Sequence, residues 1–305
     1  MHEEPESEED ISEHEQSVAW RATMNEAYRA LATRTGVKTL RLCEVVPRGC
    51  SVSYAHKWQQ FLHSVRDFSI ELWGGDNGAG WHSNTQPGYD DFIQNMNKFF
   101  FRHLGSAERV TFTADDQNPI GMEPNFHHSP TPFQANDMPK PKHLTMEHFF
   151  IDPALANLIT SHSQQLESLT LKNCFASPGV SAAHPYTWEE FFKSIRDTTP
   201  ILTSLTLTND RVPLTDAEEF HGADAAVQPS EHEAAENKSI RRNLREDPKL
   251  RLWPYDFLDD KYGMVFCDRE QNVSAFESGA DQGEFEALMR VVENNDSQKK
   301  RERRS

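Results

Sequence analysis

An apolar frame with spacing i, i+3, i+5, i+8 recurs along this chain and limits what it can fold into more than any other feature. It reads Val37/Leu40/Leu42/Val45, Val65/Phe68/Ile70/Trp73, Ala107/Val110/Phe112, Pro141/Leu144/Met146/Phe149, Leu166/Leu169/Leu171/Cys174 and Leu202/Leu205/Leu207, with Asp115 and Asp210 at the last position of the third and sixth copies. The central pair of each copy sits two residues apart, so both side chains leave the same face of a short strand and bury together. Apolar residues at helical spacing precede most copies, as in Trp20/Met24/Tyr28/Leu31, Trp58/Phe61/Leu62/Val65, Phe92/Ile93/Met96/Phe99, Leu155/Leu158/Ile159 and Trp188/Phe191/Phe192/Ile195. Two of these runs align without gaps: WQQFLHSVRD at 58–67 and WEEFFKSIRD at 188–197 share five identities, the mark of internal duplication.

Leu166-x-x-Leu169-x-Leu171-x-x-Cys174 matches the leucine-rich-repeat pattern position for position. A single helix–strand unit cannot cover its own apolar face and must lean on its neighbours. The expected fold is therefore α/β: an irregular leucine-rich-repeat-like, right-handed solenoid of helix–strand units with a small α+β C-terminal cap. Successive frames lie 28, 42, 34, 25 and 36 residues apart, so the stack must carry loops. Gly74 to Pro87 is rich in Gly and Asn, while Ala114 to Pro141 holds six prolines and reads as an excursion outside the stack.

Charge divides the chain further. The net charge is −17 and the mean hydropathy −0.73, yet the excess acid is local. Eight acids lie between Glu3 and Glu15, and seven more between Asp216 and Glu236. Acid runs of this kind stay solvated and argue against nucleic-acid or anionic-membrane binding. The expected organisation is a disordered acidic tail at 1–16, the solenoid at 17–212, an acidic flexible linker at 213–240, a cap or small module at 241–294 and a basic disordered tail at 295–305. Within the cap, Val265-Phe266 and Val273 to Phe276 are expected to pair as strands around the Asp268 to Asn272 turn, with a closing helix at Phe285/Leu288/Met289/Val292. Neither a secretory signal nor a run of 18 apolar residues occurs, which places the expected site of action in the cytoplasm or nucleus. The cluster Lys299-Lys300-Arg301-Glu302-Arg303-Arg304 reads as either a solvated terminus or a nuclear-import signal.

The stretch from Val37 to Asp210, with LANLITSH at 155–162 leading into LESLTLKNC at 166–174, resembles the leucine-rich-repeat half of fungal F-box proteins, as do Trp253-Pro-Tyr255 and Asp260-Lys-Tyr-Gly263. The resemblance covers about three quarters of the chain. It implies a protein-recognition solenoid, the substrate-binding arm of a cullin-type ubiquitin ligase, with a cullin-ligase adaptor as a further partner. The alternative is a freestanding interaction or scaffold protein of the same fold. A three-helix F-box is not recognisable, because only one amphipathic helix, about Ser17 to Thr33, is read before the first strand. No adaptor-contact residue is carried over.

Sites for chemistry are sparse. Cys43, Cys50, Cys174 and Cys267 show no CxxC spacing, and His127-His128 with His143 and His148 lack the i, i+4 pairing that aims imidazoles at one ion. Gly74 to Gly80 lacks the Lys-Ser/Thr of a phosphate cradle, and no Gly-x-Ser-x-Gly elbow occurs. The reading is a non-enzyme without cofactor or metal that binds another protein. Candidate partner-binding residues are Trp73, Trp81, His127, His128 and Trp253, large or polarisable side chains in or near loops and in the aromatic-rich tail.

Overall fold

In the computed structural model the described residues are 7–75, 82–122, 127–177, 186–210, 212–214, 231–259 and 261–304. All six frame copies form strands: β1 (Thr39–Val45), β2 (Asp67–Leu72), β3 (Arg109–Thr113), β4 (His143–Glu147), β5 (Ser168–Lys172) and β6 (Ser204–Thr208). They pair in chain order into one parallel sheet, so each unit rests on the one before it. The register is uniform: Leu40, Phe68, Val110, Leu144, Leu169 and Leu205 stand abreast, followed by Leu42, Ile70, Phe112, Met146, Leu171 and Leu207. These two rows face the helices, and all but Leu205 and Leu207 of the edge strand are buried. Each buried apolar side chain of this size stabilises by roughly 1.5–3 kcal/mol.

Helices α3 (His56–His63), α4 (Tyr89–Phe99), α5 (Pro153–Ser161) and α6 (Trp188–Asp197) supply the other side of the core. The duplicated tryptophans play equivalent parts. Trp58 Nε1 donates to the Phe99 carbonyl at 3.0 Å, and Trp188 Nε1 donates to the Pro254 carbonyl at 3.0 Å. Each indole thus ties its helix to the segment stacked upon it.

Among the described residues no helix lies between β3 and β4, and here the expected excursion is corrected. Phe133 sits against Phe101 and Phe112 with ring centroids 4.7 and 5.9 Å away, and Ile120 and Met138 are buried with it. The prolines exclude a helix, but the loop's apolar residues still fill a helix's place in the core.

Beyond the sheet, a second line of parallel bridges joins Ile120 to Phe149, Phe150 to Phe175 and Ala176 to Tyr255. The last of these draws the C-terminal segment into the array. There β7 (Asp256–Leu258) pairs antiparallel with β8 (Val265–Cys267), and α8 (Arg269–Ser278) and α9 (Ala280–Glu302) follow. The expected strand at Val273 to Phe276 is helical instead, because Asp268 caps α8 by accepting from the Gln271 amide at 2.9 Å. Trp253, Tyr255, Phe285, Leu288 and Val292 belong to the same core as the sheet.

Both ends depart from the expected tails. Glu8–Ser17 forms α1, opened by a reciprocal Ser7–Asp10 capping box, and Ile11 is buried against Gly49. Glu15 then accepts from the Ser51 amide at 2.8 Å and from the Asn25 side chain, so α1 and α2 (Ala19–Ala32) are both fastened to the segment that follows β1. Two helices therefore precede the first strand, where one was expected. At the other end α9 continues to Glu302, with Lys299 paired to Glu167 at 2.7 Å. Within 213–240, Leu214 is buried beside Ile240 of α7 (Glu231–Glu246). Among the described residues no helix is long and apolar enough to cross a membrane.

Candidate interaction surface

Alternation along each of the five-residue strands β3 to β6 puts three side chains on the outer face of the sheet for every two that enter the core. The uniform register aligns these outward residues into rows. The first reads Thr39, Asp67, Arg109, His143, Ser168, Ser204; the second Arg41, Ser69, Thr111, Thr145, Thr170, Thr206. Glu71, Thr113, Glu147, Lys172 and Thr208 form the third. With strands about 4.8 Å apart, the hydroxyl row from Ser69 to Thr206 runs for about 19 Å. Its members offer donors and acceptors without net charge.

Ions flank this row in cross-strand pairs. Arg109 meets Asp67 at 3.0 Å, Lys172 meets Glu147 at 3.2 Å and Lys142 meets Glu108 at 3.3 Å. All are substantially solvent-exposed and contribute little to stability. Past the strand ends a chain of hydrogen bonds links four successive units. His148 Nδ1 lies 2.8 Å from the Ala114 carbonyl, Asn173 Nδ2 lies 3.2 Å from His148 Nε2, and the Asp210 amide donates to Asn173 Oδ1 at 2.7 Å. Both His148 and Asn173 adopt positive φ, 58° and 48°, turning the chain out of the sheet at matching places.

Under this face Cys174 stands where the repeat pattern wants a small buried polar residue. Its thiol donates to the carbonyl of Lys172 at 3.4 Å, and burial pushes its pKa up to about 12. It is structural and inert to nucleophilic chemistry. Elsewhere, burial raises the carboxyl pKa of Asp152, which caps α5 by accepting from the Leu155 amide at 2.7 Å and also holds Thr131 and the Met122 amide. Burial likewise raises Asp137, which accepts from Asn97 and the Gln134 amide. These carboxylates fasten the proline-rich loop.

The residues singled out from sequence lie in separate places. Trp73 follows β2 and is 45% exposed. Trp81 falls outside the described residues. His127 is half-buried, and its carbonyl accepts from Asn84. His128 is buried against Phe150, with ring centroids 5.2 Å apart, which removes it from any binding surface. Trp253 is a correction of the same kind: it is 5% exposed and wedged among Trp188, Phe192 and Phe285 at 4.9–5.5 Å. Its aromatic neighbours in sequence signalled a core rather than a contact site.

Sequence reasoning passed over the hydroxyl row, although its signal is plain: it occupies the position between the two inward residues of five frame copies. A half-open depression of about 300 Å³ lies between α7 and α8, lined by Glu236, Ser239, Ile240, Asn243 and Phe276, and a gap of about 10 Å³ lies beneath Met138 and His162. Among the described residues no group of three or more His, Cys, Asp or Glu side chains is placed to hold a metal ion. No family model, curated protein or solved structure matches this chain.

Proposed function

We propose that the chain is a leucine-rich-repeat-like, right-handed solenoid that recognises another protein through the outer face of its sheet. The observation that carries this reading is the six-strand parallel array in chain order, whose outward residues stand in register as an uninterrupted polar surface. A rigid scaffold presenting aligned side chains suits an extended contact better than it suits a small molecule. The resemblance to fungal F-box proteins extends the reading to the substrate arm of a cullin-type ubiquitin ligase acting in the cytoplasm or nucleus. The runner-up, a freestanding binding module, is favoured by α1 and α2, which are spent on packing against each other and on the segment after β1 through Ile11 and Glu15.

The test is affinity capture of the full chain from its native cells, comparing the unaltered protein with Thr145→Arg/Thr170→Arg, and quantifying co-purified proteins by mass spectrometry. Loss of a specific set of proteins with the double variant supports recognition through the face. An unchanged set would sink it. Recovery of a ligase adaptor with both forms selects the ligase arm, and its absence from both selects the freestanding module.

A further inference from the structure

The outer face is electrically lopsided where its strands end. Past the middle row, β1 carries Glu44, β2 carries Glu71 and the turn after β3 carries Asp116, and none of these has an ion pair or side-chain hydrogen bond among the described residues. The carboxylates farther along are engaged: Glu147 by Lys172, and Asp210 by Asn173 at 2.8 Å. At the opposite strand ends, Lys142 and Lys299 neutralise Glu108 and Glu167. Unpaired carboxylates therefore gather on β1, β2 and the turn after β3 at one corner of the face, with Arg41 of the middle row as the cation beside them.

Trp73 stands at that corner. It is among the largest exposed apolar side chains of the described residues, and its ring lies over Gly75, where a Cβ would collide with it. The next residue back, Gly74, has no room for a Cβ either, because the Asp115 carboxyl occupies that space. The indole thus lies against its own backbone at Gly75, and a side chain already packed in this way costs a partner less entropy to hold. Glu44 is set outward by a break in register between Leu42 and Val45 and holds φ at 51°. Irregularities of this kind re-aim side chains beside functional surfaces.

Resting on the protein-recognition reading, we propose that this corner of the face docks a lysine- or arginine-bearing segment of the partner, with a cationic side chain over the Trp73 ring and its neighbours paired to Glu44, Glu71 and Asp116. The chemistry is complementary on each count. An aromatic face attracts a guanidinium or ammonium, three free carboxylates raise the encounter rate of a basic segment, and the hydroxyl row alongside can meet the segment's backbone polar groups.

The experiment measures binding of the full chain to a fluorescein-labelled 12-residue peptide of alternating Arg and Ser, with the Glu/Ser version as its counterpart, across a salt series. The proposal expects the basic peptide to bind and the acidic one not to bind, with affinity falling as salt rises. Trp73→Ala and Glu71→Lys should each weaken binding at least tenfold, while Glu8→Gln/Glu9→Gln/Glu13→Gln on α1 leaves it unchanged. Equal loss in the α1 variant would mean that net charge alone draws the peptide, and would overturn the corner as a site. Absence of binding to the basic peptide at any salt overturns the inference as well. If the Thr145→Arg/Thr170→Arg protein nonetheless loses its captured proteins, recognition through the face stands and only the chemistry assigned to this corner falls. Trp73 and Glu71 both project from the surface, and thermal melts matching the unaltered protein will show that the variants fold.

Discussion

The Tyr255 hydroxyl donates to Asp281 Oδ2 at 2.9 Å inside the core, while the other carboxylate oxygen accepts from the Glu189 amide at 2.8 Å. One buried carboxylate thus joins α9, the segment before β7 and the first turn of α6. Burial pushes the Asp281 pKa up to about 6 from an ordinary 3.8, the two hydrogen bonds offsetting only part of the desolvation.

The sign of the resulting pH dependence follows. Asp281 binds its proton more tightly folded than unfolded, so its contribution to stability is fully present below pH 3.8 and is lost as pH rises through 6. The difference is about 3 kcal/mol at most. Urea midpoints of the wild type and Asp281→Asn, measured from pH 4 to 8, should diverge in favour of the variant across that window. Parallel curves would show that Asp281 titrates normally.

Trp58 and Trp188 tie successive layers through one indole hydrogen bond each. Phenylalanine keeps most of the packing but leaves the Phe99 carbonyl unpaired, at a cost of about 1–3 kcal/mol, and leaves the Pro254 carbonyl with the Ala176 amide alone, at a smaller cost. Hydrogen exchange localises the effect. Trp188→Phe should speed exchange at 252–258, and Trp58→Phe at 96–104.

Phe133 distinguishes a core loop from a surface one. Phe133→Ala opens a cavity among Phe101, Phe112 and Phe149 and should destabilise by about 3–5 kcal/mol in chemical denaturation. A change below about 0.5 kcal/mol is what a solvated loop would give.

Thiol labelling tests the packing of the cysteines. Cys43 is exposed on β1, whereas burial pushes Cys50 and Cys174 up to about 12. In native protein a maleimide should modify Cys43 within minutes and reach Cys50 and Cys174 only after denaturant is added, as read by peptide mass spectrometry.

The sheet was legible because two apolar residues separated by one polar residue, six times over, leave no alternative face to bury. Register was legible for the same reason, since Leu169 and Leu171 pair with Leu205 and Leu207 only in step. The ends were harder. Eight acids before Ser17 read as a solvated tail, yet the Ser7 cap and the single apolar Ile11 suffice to dock a helix whose first-turn Glu8, Glu9 and Asp10 favour its N-terminus. Val273 and Phe276 suit a strand by composition, but their spacing of three and the Asp268 cap make them one side of a helix. Of the tryptophans singled out from sequence, Trp73 is exposed and Trp253 lies in the core. A tryptophan's size advertises equally a contact site and a core, and only its neighbours in space decide between them.

The bridge from Ala176 to Tyr255 has a consequence for how such a chain can change length. Strands β4 and β5 are each followed by a residue that continues the outer line of bridges, but after Phe175 and Ala176 that line is taken up by a segment much later in the chain. Tyr255 therefore acts as a terminus for counting. Whole units can be gained or lost by duplication upstream, as the twin Trp58 and Trp188 helices record, whereas a unit added after β6 would have to displace Tyr255 and the helices behind it. The array is extendable from within and closed at its end.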